Sequence, residues 1–156
     1  MNNGILSAII TGDALAFLGA ALGFLLAGCG SSKGVRIAGE AASGVVTEDP
    51  NKFVEVMILE ALPSTQGIYG FVAAFMILGK IGGLSLEQGF ILFLAGLPIG
   101  IVGLFSAIYQ GRVAAASIGI VAKHSGEMVK GVILTLMVEV FAIFAILISI
   151  LIIGRV

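Results

Sequence analysis

Three polar or glycine-rich breaks, around Thr47 to Lys52, Lys80 to Ser85 and Lys123 to Glu127, divide an otherwise apolar chain into four segments. Each segment exceeds the roughly 20 residues that cross a bilayer as a helix. The pattern predicts helices over Gly12–Val46, Asn51–Gly79, Leu86–Ala122 and Gly126–Arg155. The first and third run past the hydrocarbon thickness and carry polar ends, so they are expected to protrude into water at the first and third turns.

Those two helices share a texture, seen in GAALGFLLAGCGSSKGVRIAGEAASG and in GLFSAIYQGRVAAASIG, where Gly, Ala and Ser recur every three or four residues. Small residues at that spacing let helix backbones approach closely in lipid, where apolar burial gives little drive to associate. The recurrence on alternate helices predicts an all-α membrane protein of two tandem helical hairpins, residues 1–80 and 81–156. Two arrangements fit the stripes: one four-helix bundle, or the crowded inner layer of a ring of subunits.

Composition agrees with a membrane chain. Of 156 residues, 59% are hydrophobic and 11% charged, and the mean hydropathy is +1.19. The formal net charge of -1 is spread along the chain and leaves no basic footprint for nucleic acid. A single cysteine, Cys29, excludes an internal disulfide or a multi-cysteine metal site, and it reads as a small packing residue. The opening residues MNNGILSAIITGD lack the charged start of a cleavable signal, so the chain is expected to begin near Met1. Six of the eight Lys and Arg residues lie toward the first and third turns. The positive-inside bias then places the turns near residues 50 and 125 in the cytoplasm and both termini outside.

Chemistry enters with Glu139, the one carboxylate in the apolar stretch from Gly131 to Ile153. An ionised acid at mid-membrane costs about 2.5 kcal/mol or more, so it faces a partner, a cavity or an ion. Gln110 lies 15 residues before the third turn at Ser125 and Glu139 lies 14 after it, while Thr65 and Gln66 lie 15 and 16 after Pro50. At 1.5 Å per residue all four stand about 22 Å from their turns, at one membrane level. In LPSTQGIYGF, Leu62, Thr65, Gln66 and Tyr69 share one helix face, and Pro63 disturbs the backbone there. A carboxylate, two amide oxygens, a hydroxyl and a freed carbonyl form an oxygen shell suited to a hard cation such as sodium, with Tyr69 able to donate to Glu139. The plainer alternative is that the amides only hold helices together.

LPSTQGIYGF, Gln110 within YQGRVAAA and Glu139 within MVEVFAI together resemble the rotor-ring proteolipid, subunit K or c, of V-type ATPases, most of all its sodium-type bacterial members. The likeness spans nearly the whole chain and includes GSSKGVRIAGEAA. It implies that Glu139, Gln110, Gln66, Thr65 and the Leu62 main-chain oxygen bind Na+, and that Tyr69 latches Glu139. It also implies a closed ring of identical subunits in the cell membrane, a stator membrane protein with an intramembrane arginine, and central-stalk subunits docked on the cytoplasmic turns. ATP hydrolysis belongs to other subunits, because the chain holds no nucleotide motif. Pro63 stands where a first-half carboxylate is expected, which gives one ion per chain.

Glu60 departs from the sodium-type pattern and falls about 160° around the helix from Leu62, so an access-path or packing role is expected for it. Lys33, Arg36 and Glu40 read as a solvated or ion-paired face, and His124 as a solvated turn residue. A proton-carrying ring and a stand-alone four-helix transporter remain as other functions, although the absence of Trp disfavours recognition of bulky cations.

Overall fold

In the computed structural model, which describes residues 11–156, four apolar helical spans run back and forth. The expectation for the first ten residues lies outside the described ones. Helix α1 (Gly12–Glu48) starts where the Thr11 hydroxyl accepts the Ala14 N–H at 3.1 Å. The second span opens with a 3₁₀ turn, Pro50–Lys52, and continues as α2 (Phe53–Ala61), a second 3₁₀ turn (Leu62–Ser64) and α3 (Thr65–Leu78). Helix α4 (Leu86–Lys123) begins with a reciprocal cap between Ser85 and Gln88, and α5 (Met128–Ile153) ends at Gly154.

Two sequence expectations change. The second span is not one continuous helix: Pro63 has no N–H to give to the Leu59 carbonyl, and the backbone tightens into a 3₁₀ turn around it. The last helix starts at Met128 and not at Gly126, because Gly126 has φ +84°, outside any right-handed helix. Both 37- and 38-residue helices are about 55 Å long and outrun the hydrocarbon, as their length predicts.

The packing forms two layers. Helices α1 and α4 lie side by side and parallel: Gly12 meets Ser85 and Gly89, Gly19 meets Leu92 and Gly96, and Gly34 meets Ala107 and Gly111. A Cβ added at Gly19 would stand 2.6 Å from the Leu92 carbonyl oxygen, and one at Gly96 would collide with the Gly19 carbonyl. Those backbones therefore touch because the residues between them are glycines. Helices α3 and α5 cover the outer sides of α1 and α4 and meet each other only slightly. The subunit is thus a wedge with a thin inner edge. Its outer surfaces carry exposed Phe71, Phe75, Met137, Phe141 and Leu151, as a lipid or subunit boundary allows.

The loops tie the helices at their ends. Asp13 at the start of α1 accepts from the N–H groups of Gly83 at 3.0 Å and Leu84 at 2.9 Å, and Gly83 needs its glycine for φ +80°. Lys52 donates to the Ala122 carbonyl at 2.7 Å, placing a cation on the C-terminal end of α4.

Gly96→Ala is expected to lower the thermal unfolding midpoint of the detergent-solubilised protein. Gly119→Ala, where an added Cβ meets nothing within 4 Å, should leave it unchanged or raise it. Equal midpoints for the two variants would contradict the close α1–α4 approach.

Candidate ion-binding site

The turn around Pro63 ends with the carbonyl of Leu62 turned toward Thr65. The Thr65 backbone N–H bonds that carbonyl, and the Thr65 hydroxyl donates to it at 3.0 Å. Thr65 Oγ1 also stands 3.4 Å from Gln66 Oε1. Three oxygens of one short segment therefore gather in sequence, with neighbouring pairs 3.0 and 3.4 Å apart. Both spacings are those of hydrogen bonds from the Thr65 hydroxyl, and they also lie near the roughly 3.4 Å that separates oxygens sharing a hard cation in octahedral arrangement.

Helix α3 begins without a side-chain cap of its own. Ser31 of α1 supplies one from the side: its hydroxyl accepts the Gly67 N–H at 2.8 Å. This holds the first turn of α3 against α1 and sends the Gln66 side chain across toward α4. Gln66 is fully buried, as is Gln110, and the two amides meet through Gln66 Nε2, which donates to Gln110 Oε1 at 2.6 Å.

Gln110 connects to α5. Its Nε2 donates to the Thr135 carbonyl at 3.3 Å and to Glu139 Oε2 at 3.2 Å. The other Glu139 oxygen accepts the Tyr69 hydroxyl at 2.5 Å, a bond that joins α3 to α5. Glu139 is only 6% exposed, and both of its oxygens have donors. A carboxylate so placed is far less costly in a membrane than a bare one, because its lone pairs are filled by strong bonds to the charged group.

All six residues read from the sequence meet here: Leu62, Thr65, Gln66, Tyr69, Gln110 and Glu139. Sequence reasoning overlooked Ser106, which accepts from Gln66 Nε2 at 3.3 Å and donates to the Val138 carbonyl at 3.1 Å. It also overlooked the Thr135 carbonyl and Ser31. A signal existed, since Ser106 and Thr135 lie four residues before Gln110 and Glu139, hence on the same helix faces. Among the described residues no three His, Cys, Asp or Glu side chains cluster, so the site is one carboxylate among neutral oxygens.

The remaining polar residues stay apart from the site. Glu60 packs its carboxylate over Gly39 of α1, beside a recess of about 270 Å³ lined by Ala42, Val46, Val56 and Met57. Glu40 pairs with Arg36 at 2.8 Å, one turn away, and not with Lys33, which is exposed. Cys29 is exposed on the single chain; it lies off the face that α1 presents to α4 and is not a packing residue within the subunit. His124 is exposed at the third turn.

Known proteins share this sequence along nearly its whole length. A model of the family described as ATP synthase C subunit matches the chain twice, at residues 18–77 and 93–152. V-type sodium ATPase subunit K of Enterococcus hirae is 46% identical over 143 residues, 91% of this chain and 92% of the relative. A-type ATP synthase subunit K of Methanocaldococcus jannaschii is 42% identical over 137 residues, 88% of this chain but 60% of the relative. The 16 kDa proteolipid of the V-type proton ATPase of Nephrops norvegicus is 26% identical over 136 residues, 85% of this chain and 86% of the relative. With both family matches and the first two relatives in agreement, the chain belongs to the ATP synthase C subunit family, the ring-forming membrane proteolipids that move ions for rotary ATPases without themselves hydrolysing ATP.

Proposed function

We propose that this chain is the sodium-carrying rotor subunit of a V-type ATPase, with Na+ held by Glu139, Gln110, Gln66, Thr65 and the main-chain oxygen of Leu62. The observation that carries the reading is the three-oxygen cluster of Leu62, Thr65 and Gln66 beside a carboxylate whose donors are already in place. A site that only takes up a proton needs one acid and one or two hydrogen-bond partners. The neutral oxygens of Leu62, Thr65 and Gln66 add acceptors that a metal ion can use and that a proton on Glu139 does not need. The name of the Enterococcus hirae relative supports the same ion.

The proposed cycle uses the polarity of lipid. Bound Na+ neutralises Glu139, and the Tyr69 hydroxyl keeps the carboxylate turned inward, so the loaded protein passes through the bilayer without presenting a bare charge. At the stator, an arginine on a separate membrane subunit draws Glu139 open and displaces the ion, and the site then reloads from the other side. Each Na+ moved against 100 mV takes about 2.3 kcal/mol, which ATP hydrolysis on cytoplasmic subunits supplies. In this reading the turns near residues 50 and 125 face the cytoplasm and the central stalk, with both termini outside, in keeping with the Lys and Arg bias.

The duplicated plan explains a single ion per chain. The two matched segments are offset by 75 residues at both ends, since 93 - 18 and 152 - 77 both give 75. Carried through without a gap, that offset pairs Glu139 with Ser64, one residue on from the Pro63 expected from the sequence, and neither is an acid.

Dicyclohexylcarbodiimide attacks protonated carboxyls in lipid and reads the site directly. Millimolar Na+ is expected to slow labelling of Glu139, with more Na+ needed as pH falls, because proton and metal compete for one carboxylate. Labelling indifferent to Na+ at every pH would overturn the sodium reading. Tyr69→Phe should raise the Na+ needed for half-protection about tenfold, the size of a lost hydrogen bond to a charged group. An unchanged requirement would remove Tyr69 from the site.

A further inference from the structure

The two buried glutamines each have an oxygen end and a nitrogen end, and only one orientation of each lets the cation site form. For Gln110 the choice is set by its neighbours. The Thr135 carbonyl and the Glu139 carboxylate can only accept, so the Gln110 nitrogen must point at them, at 3.3 and 3.2 Å. Its oxygen is then turned toward Gln66.

Gln66 is held by two groups. Gln110 Oε1 accepts one hydrogen of Gln66 Nε2 at 2.6 Å, and Ser106 Oγ accepts the other at 3.3 Å. Ser106 has a single proton, and that proton goes to the Val138 carbonyl at 3.1 Å, leaving the hydroxyl only lone pairs to offer Gln66. Were Gln66 turned over, its oxygen would face the Gln110 oxygen and the Ser106 lone pairs at once, with no donor among them. In the observed orientation Gln66 Oε1 faces Thr65 Oγ1 at 3.4 Å, on the side of the Leu62 carbonyl.

We infer that Ser106 is a positioning residue for ion binding: by accepting from Gln66 Nε2 while donating to the Val138 carbonyl, it fixes the oxygen end of the Gln66 amide toward the cation. The inference rests on the sodium reading above. Ser106 is 5% exposed and lies at the α4–α5 contact, and its hydrogen bonds reach no oxygen of the proposed shell. Ser31 stands 75 residues earlier, the spacing of the two family matches, and it holds the backbone of the same α3 turn at Gly67. The two halves of the chain thus place a serine on each inner helix, one securing the Gln66 main-chain neighbourhood and the other its side chain.

The test uses rotor rings purified within the complete ATPase, and reads the Na+ concentration that half-protects Glu139 from dicyclohexylcarbodiimide. Ser106→Ala is expected to raise that concentration about fivefold, the worth of one neutral hydrogen bond, with the labelling rate in the absence of Na+ unchanged. Ser106→Thr keeps the hydroxyl and should return the value to within twofold of wild type. Ser149→Ala removes another buried hydroxyl from the α4–α5 contact, ten residues beyond Glu139, and should leave it unchanged. If Ser106→Ala rings do not assemble, Ser106→Cys, with its weak sulfur acceptor, carries the same expectation. Half-protection within twofold of wild type in the Ala or Cys variant overturns the role of Ser106 and leaves the sodium reading standing. A wild-type ring that Na+ does not protect overturns both.

Discussion

A carboxylate at the middle of a bilayer has to be given hydrogen-bond donors, and the arrangement of this subunit follows from how Glu139 gets them. In this subunit the donors come from the protein: a phenol from α3 and an amide from α4, one on each carboxylate oxygen. Filling both oxygens at once requires three helices to converge on one level. The Gln110 amide in turn needs the Thr135 carbonyl, and the Gln66 amide needs Gln110 and Ser106. Each polar group in the interior thereby fixes the next, which is how a buried network gains orientation as well as stability.

The glycine-rich contact between α1 and α4 makes that convergence possible. Backbone against backbone at Gly19–Gly96 and Gly34–Gly111 gives the wedge a narrow inner edge, while α3 and α5 stay splayed on the outside. Between the outer helices Tyr69 and Gln110 reach α5, while Gln66 reaches α4. A bulkier inner contact would push α4 away from α3 and lengthen the 2.6 Å bond between the two glutamines. The same narrow edge suits a ring, in which each subunit occupies a sector and the inner circumference is the most crowded.

Much of this was legible in the sequence, for physical reasons. Hydropathy alone marks the four spans, because long apolar runs are what a helix needs to cross lipid. Counting from the turns placed Thr65, Gln66, Gln110 and Glu139 at one level because a helix rises by a fixed amount per residue. What escaped notice depends on lateral packing. Ser106 and Ser31 look like two more small residues in stripes rich in Gly, Ala and Ser, and only the direction of their hydroxyls separates them from filler. The 3₁₀ turn at Leu62–Ser64 was announced by Pro63, but proline shows that a helix is disturbed and leaves open how. The exposure of Cys29 is not legible in the sequence, because burial within one chain depends on which way α1 faces, and a glycine-rich stretch leaves that undetermined.

ATP-driven uptake of radioactive Na+ into vesicles holding the complete ATPase reads the part played by Glu139. Glu139→Gln leaves an amide of similar shape without the charge proposed to hold the cation, and uptake is expected to fall to the level seen without ATP. Uptake at the wild-type rate in that variant would contradict that role.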